Sequence, residues 1–200
     1  LDHDLLSGLT NLTKLNLSGC RYFEKLDVRR MTRLRSLKLA NCKSLKEVVG
    51  LSELTGLTSL DFENCESLIG LEGLSELTSL TSLNLENCET VTNLDVLSGL
   101  TDLTSLNLRG RGLLTNVDGL SELTKLQSLN LRDRNSLTNV DALGDLTNLT
   151  SLSLRGCSSL TNVDSLNKCG ILSDLDLSDC SSLTSLDGLE KSNNLRSLNL

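Results

Sequence analysis

The stretch Leu12-Thr13-Lys14-Leu15-Asn16-Leu17-Ser18-Gly19-Cys20 decides the fold. Its frame, L-x-x-L-x-L, returns at Leu34, Leu57, Leu80, Leu103, Leu126, Leu149, Leu172 and Leu195, with Phe62 standing in once for Leu. The first step is 22 residues and the next seven are 23, so nine copies hold one register. Such a period marks a solenoid, built from a unit too small to bury its apolar face alone. In L-x-L the two Leu share a face and the residue between them points the other way, which is the period of a β-strand. Each copy therefore predicts one short strand, with successive strands stacked in parallel about 4.8 Å apart. The return path places apolar residues at every third position: Leu94, Leu97, Leu100 and Leu103, then Val117, Leu120, Leu123 and Leu126. That spacing suits tight 3-10 turns better than a long helix. Asp95, Asp118, Asp141, Asp164 and Asp187 stand just before these turns. Their carboxylates are expected to accept the first free backbone N–H groups.

Composition agrees with a repeated unit. Aromatics make up 2% of the 200 residues, Pro and Trp are absent and Leu dominates, so the core must come from one side chain in one slot, many times over. The net charge of −7 argues against a general nucleic-acid binder, which is usually basic. No apolar run is long enough to span a bilayer, so no membrane partner is expected. Leu1 to Thr10 carry Asp2 and Asp4 and lack the basic and apolar regions of a secretory leader. The expectation is one domain over 1–200, with copies starting near 12, 34, 57, 80, 103, 126, 149, 172 and 195. It shows no capping segment and is expected to continue beyond one or both ends, or to meet another molecule there.

These phrases resemble the leucine-rich-repeat family, whose consensus is L-x-x-L-x-L-x-x-N/C-x-L, and the resemblance covers essentially the whole chain. The Leu-Thr-Asn-Leu phrases are similar to internalin-like repeats. Leu-Ser-Gly-Cys is similar to plant immune receptors, and protist repeat proteins share the style. The departure from the internalin pattern is an extra residue after Cys, so the next apolar residue falls three positions on rather than two. The resemblance implies an α/β fold, a right-handed solenoid or horseshoe, with a concave parallel sheet of about nine strands. Its convex side would be mostly 3-10 turns and loops.

Cys20, Cys42, Cys65, Cys88, Cys157 and Cys180 share the position just after the strand. A column of side chains pointing the same way is poor geometry for disulfides and for a tetrahedral metal site, so the reading is a ladder of small buried thiols. Cys169 replaces a buried Leu in another slot, and the one histidine, His3, lies far from the column. Reduced thiols fit an intracellular protein, cytoplasmic or nuclear. Asn-x-Ser/Thr triplets at Asn11, Asn16 and Asn148 are expected by chance in a chain this rich in Asn, Ser and Thr. No nucleophile–base pair, phosphate loop or metal spacing is present, so no enzyme, cofactor or small-molecule substrate is expected.

Function in a repeat array should lie where the copies differ on the exposed face. Inside L-x-L the series runs Asn16, Lys38, Asp61, Asn84, Asn107, Asn130, Ser153, Asp176 and Asn199. Two residues later it runs Ser18, Ala40, Glu63, Glu86, Arg109, Arg132, Arg155 and Ser178. Glu63 and Glu86, reinforced by Asp61, Glu66 and Glu89, give way to a column of Arg109, Arg132 and Arg155. Arg111 and Arg134 lie beside that column and replace Cys in the ladder. A guanidinium there needs a partner or a route to water, and pairing with Asp133 or Glu86 would answer the need. The expected contact surface is thus Asp61, Glu63, Glu86, Arg109, Arg111, Arg132, Arg134 and Arg155. Its expected occupant is a protein; an anionic ligand such as a phosphorylated segment or nucleic acid is the alternative. A structural spacer or engineered array is the third reading, which the differences among copies disfavour.

Overall fold

The computed structural model describes Leu6 and residues 8–200; the expectations placed on Asp2, His3 and Asp4 lie outside them. Among the described residues eleven three-residue strands occur: β1 (Lys14–Asn16), β2 (Lys25–Asp27), β3 (Ser36–Lys38), β4 (Glu47–Val49), β5 (Ser59–Asp61), β6 (Ser82–Asn84), β7 (Ser105–Asn107), β8 (Ser128–Asn130), β9 (Ser151–Ser153), β10 (Asp174–Asp176) and β11 (Ser197–Asn199). Nine of them, one per copy, form a parallel sheet in the order β1-β3-β5-β6-β7-β8-β9-β10-β11. The register is strict: Leu83 faces Leu106, and Leu106 faces Leu129. A one-residue slip would send every central Leu to solvent, which explains why the frame tolerates so little variation.

The core is a stack of equivalent rungs. Leu103, Leu108 and Leu120 of one coil and Leu126 of the next are all without solvent exposure, as are Leu80, Leu85, Leu100 and Phe62 around them. On the entry side of the sheet a hydroxyl ladder joins coils: Thr81 donates to the Thr58 carbonyl at 2.9 Å, and Thr104 to that of Thr81 at 3.0 Å.

The return path contains seven short 3-10 turns, among them Asp95–Leu97, Asp118–Leu120, Asp141–Asp145, Asp164–Lys168 and Asp187–Leu189, and no α-helix within residues 8–200. The expected capping role is displaced by two residues. Each of these Asp is the first turn residue, and its own N–H is taken by Asn93 (2.8 Å), Asn116 (3.2 Å), Asn139 (2.6 Å), Asn162 (3.3 Å) or Ser185 (2.9 Å). A short side chain reaches the N–H two residues on, whereas the Asp, already inside the turn, cannot cap it. A second departure is the two-stranded parallel sheet of β2 and β4 on the return path, extended by a bridge from Glu47 to Gly70. Here Glu47-Val48-Val49 brings β-branched residues where later copies carry Asn-Val-Asp and turn instead.

Candidate functional site

The residues within L-x-L do less on the surface than their position implies. Asp61 Oδ1 accepts the Glu63 N–H at 3.1 Å, Asn84 that of Glu86 at 3.0 Å, Asn107 that of Arg109 at 3.1 Å, and Asn130 that of Arg132 at 3.0 Å. This Asn/Asp series ends each strand by holding the chain as it leaves the sheet. Asp61 therefore lies on the sheet face with one carboxylate oxygen engaged by backbone.

The following series carries the charge. Glu63, Glu86, Arg109, Arg132 and Arg155 lie along one edge of the sheet, all partly exposed. Glu86 receives Asn107 at 2.9 Å and Arg109 Nη1 at 3.2 Å. Arg109 Nε also meets Asp133 at 3.3 Å, Arg132 Nε lies 3.5 Å from the same carboxylate, and Arg155 Nε meets Asp179 at 3.2 Å. The pairing to Glu86 and Asp133 anticipated for Arg111 and Arg134 is made instead by Arg109 and Arg132, and Asp179 extends the series to Arg155. Glu66, expected to reinforce the acidic patch, pairs with Lys43 at 2.7 Å. Asp133 and Asp179 are residues the sequence reading underused. They occupy the left-handed turn position shared with Asn41, Asn64 and Asn87, whose φ values, like theirs, fall between 54° and 64°. Asn and Asp tolerate that conformation, and the same turn aims the carboxylate at the Arg column.

The cysteine ladder is a column of thiol-to-carbonyl bonds. Cys42 donates to Leu17, Cys65 to Leu39, Cys88 to Phe62, Cys157 to Leu131 and Cys180 to Leu154, at 3.1–3.3 Å. Burial pushes the thiols of Cys65, Cys88 and Cys157 up to about 12 and that of Cys169 up to about 11. They are therefore packed donors rather than nucleophiles.

At the break in this ladder the two arginines part company. Arg111 is exposed, and the backbone around it leaves the common path: Gly110 has φ 151°, and Leu114 bonds to the Gly112 carbonyl where other copies bond to the ladder residue. Arg134 was expected on the contact face; that expectation is corrected, because its side chain has no solvent exposure. It enters the core in the manner of a cysteine and donates from Nε to the Leu108 carbonyl at 2.5 Å. Its guanidinium runs on into the rung vacated by Arg111. A Cβ built on Gly112 would stand 2.9 Å from both Arg134 Nη1 and the Glu89 carbonyl oxygen, and the backbone contact favours Gly there. Nη1 and Nη2 have no hydrogen-bond partner among the described residues. Burial lowers the Arg134 pKa, opposed by nearby Cys88 and Cys157.

Residues 3–71 match the model described as Zer-1-like, leucine-rich repeats, and residues 113–198 match the BspA type leucine-rich repeat region. No curated protein matches the chain significantly in sequence. Among solved structures, internalin C2 of Listeria monocytogenes is 21% identical, with a TM-score of 0.80 over 100% of this chain and 84% of that one. InlJ of the same organism, whose functional domain includes a cysteine ladder, is 23% identical, with a TM-score of 0.57 over 98% of this chain and 54% of that one. TLR13, solved in complex with ssRNA13, is 20% identical, with a TM-score of 0.61 over 94% of this chain and 30% of that one.

Proposed function

Because the chain is a leucine-rich-repeat protein, we propose that it is a non-enzymatic interaction module that binds a protein partner on its concave face. The observation that carries this reading is the change of sign along one edge of the sheet, from Glu63 and Glu86 to Arg109, Arg132 and Arg155. A partner with a basic feature opposite the glutamates and an acidic one opposite the arginines would be fixed in register and drawn in quickly. An ion pair within the column supports this. The Arg155–Asp179 pair is exposed on both sides, 42% and 67%, and a pair so wet is worth only about 0–1 kcal/mol, so a partner's carboxylate can displace it at small cost. The free thiols fit a reducing compartment, and a cytoplasmic or nuclear site of action is part of the proposal.

An anionic ligand such as a phosphorylated segment or RNA is the second reading, favoured by the same Arg column. Against it stand the acidic net charge and the burial of Phe23 and Phe62, which leaves Tyr22 as the one exposed aromatic ring among the described residues. Tyr22 precedes the Arg column by more than three coils.

The test is capture of binding partners by the wild-type chain and by Arg109→Glu/Arg132→Glu/Arg155→Glu. Selective loss of a protein supports the proposal, and loss of nucleic acid replaces it with the second reading. An unchanged set of captured molecules overturns both.

A further inference from the structure

The break in the ladder lowers stability, and what it gains lies on the surface. A guanidinium buried without a carboxylate, with two nitrogens lacking acceptors, is unfavourable, and Cys157 at the same position of the next coil avoids the penalty. A local rule broken without a packing gain concentrates at functional sites. Here the consequence is visible in Gly110–Leu113. With Arg134 filling the rung next to Gly112, Arg111 cannot return to the core, and the segment is held outward. It presents Arg111, which makes no hydrogen bond or ion pair among the described residues, and Leu113, which is 71% exposed. The cations of the neighbouring column already face carboxylates, whereas the charge of Arg111 is uncompensated.

We infer that Gly110–Leu113 is a contact element held out by buried Arg134, and that its partner is an acidic protein segment that also carries an apolar side chain. The inference rests on the protein-binding reading above and locates its centre at the rim rather than along the column. Charge complementarity argues for the carboxylates: Arg111 lies beside Arg109, so acidic groups arriving here meet one free cation and one that can exchange partners. Leu113 argues for protein over nucleic acid, because a phosphate backbone satisfies Arg111 and leaves the Leu side chain exposed.

The experiment measures anisotropy of a fluorescent peptide alternating Glu and Leu, titrated with the wild-type chain, Arg111→Glu, Leu113→Ser, Arg155→Glu and the double variant Arg111→Cys/Arg134→Cys. The two rim substitutions change exposed side chains and should leave folding intact. Each should weaken binding about tenfold, roughly the effect of losing 1.4 kcal/mol. The double variant restores the ladder and loses Arg111 as well, so it should weaken binding at least as much while unfolding at higher denaturant. An all-Glu peptide should bind less tightly than the Glu/Leu peptide. Peptide binding that is absent, or unaffected by Arg111→Glu and Leu113→Ser, overturns the rim proposal. If Arg155→Glu alone abolishes it, the rim fails while the concave-face reading stands. Tighter binding of a single-stranded RNA, lost in Arg111→Glu, overturns both.

Discussion

Arg134 donates from Nε to the Leu108 carbonyl at 2.5 Å, in the place where Cys157 donates from Sγ to Leu131 at 3.3 Å one coil later. The requirement at this bend is a donor for a buried carbonyl, and the chain meets it with two different chemistries. In the Leu126 copy the donor brings a charge into the core, and Leu108 depends on it. No backbone N–H from residue 111 reaches that carbonyl, as the ladder residue's N–H does in the coils on either side.

The energetic consequence is measurable. Replacing a buried, poorly paired ion with groups that pack is often stabilising by about 1–4 kcal/mol. Arg111→Cys/Arg134→Cys restores the ladder donor in both coils, so its urea midpoint should rise with an unchanged slope. A midpoint equal to or below the wild type would show that the buried guanidinium is not a liability.

Thiol chemistry should sort the cysteines by depth. Cys20 is half-buried and the other six are buried, with Cys42, Cys65, Cys88 and Cys157 without exposure. With a chromogenic disulfide reagent at neutral pH, Cys20 should react first, and full reaction should need denaturant. Fast modification of several thiols in the folded chain would mean that the ladder opens readily.

The same thiols set an alkaline limit. In the folded chain Cys65, Cys88 and Cys157 hold their protons to about 12, against an ordinary value of 9.0. Between those limits the unfolded chain has lost protons that the folded one keeps, so stability is complete below about 9 and falls as pH rises toward 12. Denaturant midpoints across that range should decline, and Cys65→Ala/Cys88→Ala/Cys157→Ala should flatten the decline. A slope that the triple variant leaves unchanged assigns the pH dependence to other groups.

Asn130 distinguishes a structural surface residue from a binding one. Its Oδ1 accepts the Arg132 N–H at 3.0 Å. Asn130→Ala removes that acceptor and should lower stability by about 0.5–1.5 kcal/mol, whereas Asn130→Asp keeps it and should cost less. Chemical denaturation gives both values. Equal stability of the two variants would show that the bond contributes nothing.

Much of the architecture was legible because it is written locally and then repeated. The spacing of Leu103, Leu106 and Leu108 implies a strand with one buried face, and Leu114, Val117 and Leu120 imply a tight return. The shared position of Cys42, Cys65 and Cys88 implies a ladder. Each inference needs only one coil and its copy, since neighbours meet the same slots. The capping error at Asp95 and Asp118 was local too: the turn begins at the Asp, so the reach of Asn93 and Asn116 decides the cap. The strands β2 and β4 escaped notice because Val48 and Val49 pair with a neighbouring coil rather than with any pattern of their own.

The candidate site was readable as a list and unreadable as an arrangement. Arg109, Arg132 and Arg155 form a column by position alone, and sequence sufficed for that. Arg111 and Arg134 occupy the same repeat position, yet one is exposed and the other has no exposure at all. The difference is not in either residue. It lies in how the two coils meet, where Gly110 and Gly112 permit the outward path of the backbone and Arg134 fills the rung beside it. By itself the sequence determined the coil, because period and apolar spacing act within one repeat. Which arginine is buried was decided only by tertiary structure, because a core slot belongs to two coils and only their packing says whose side chain fills it.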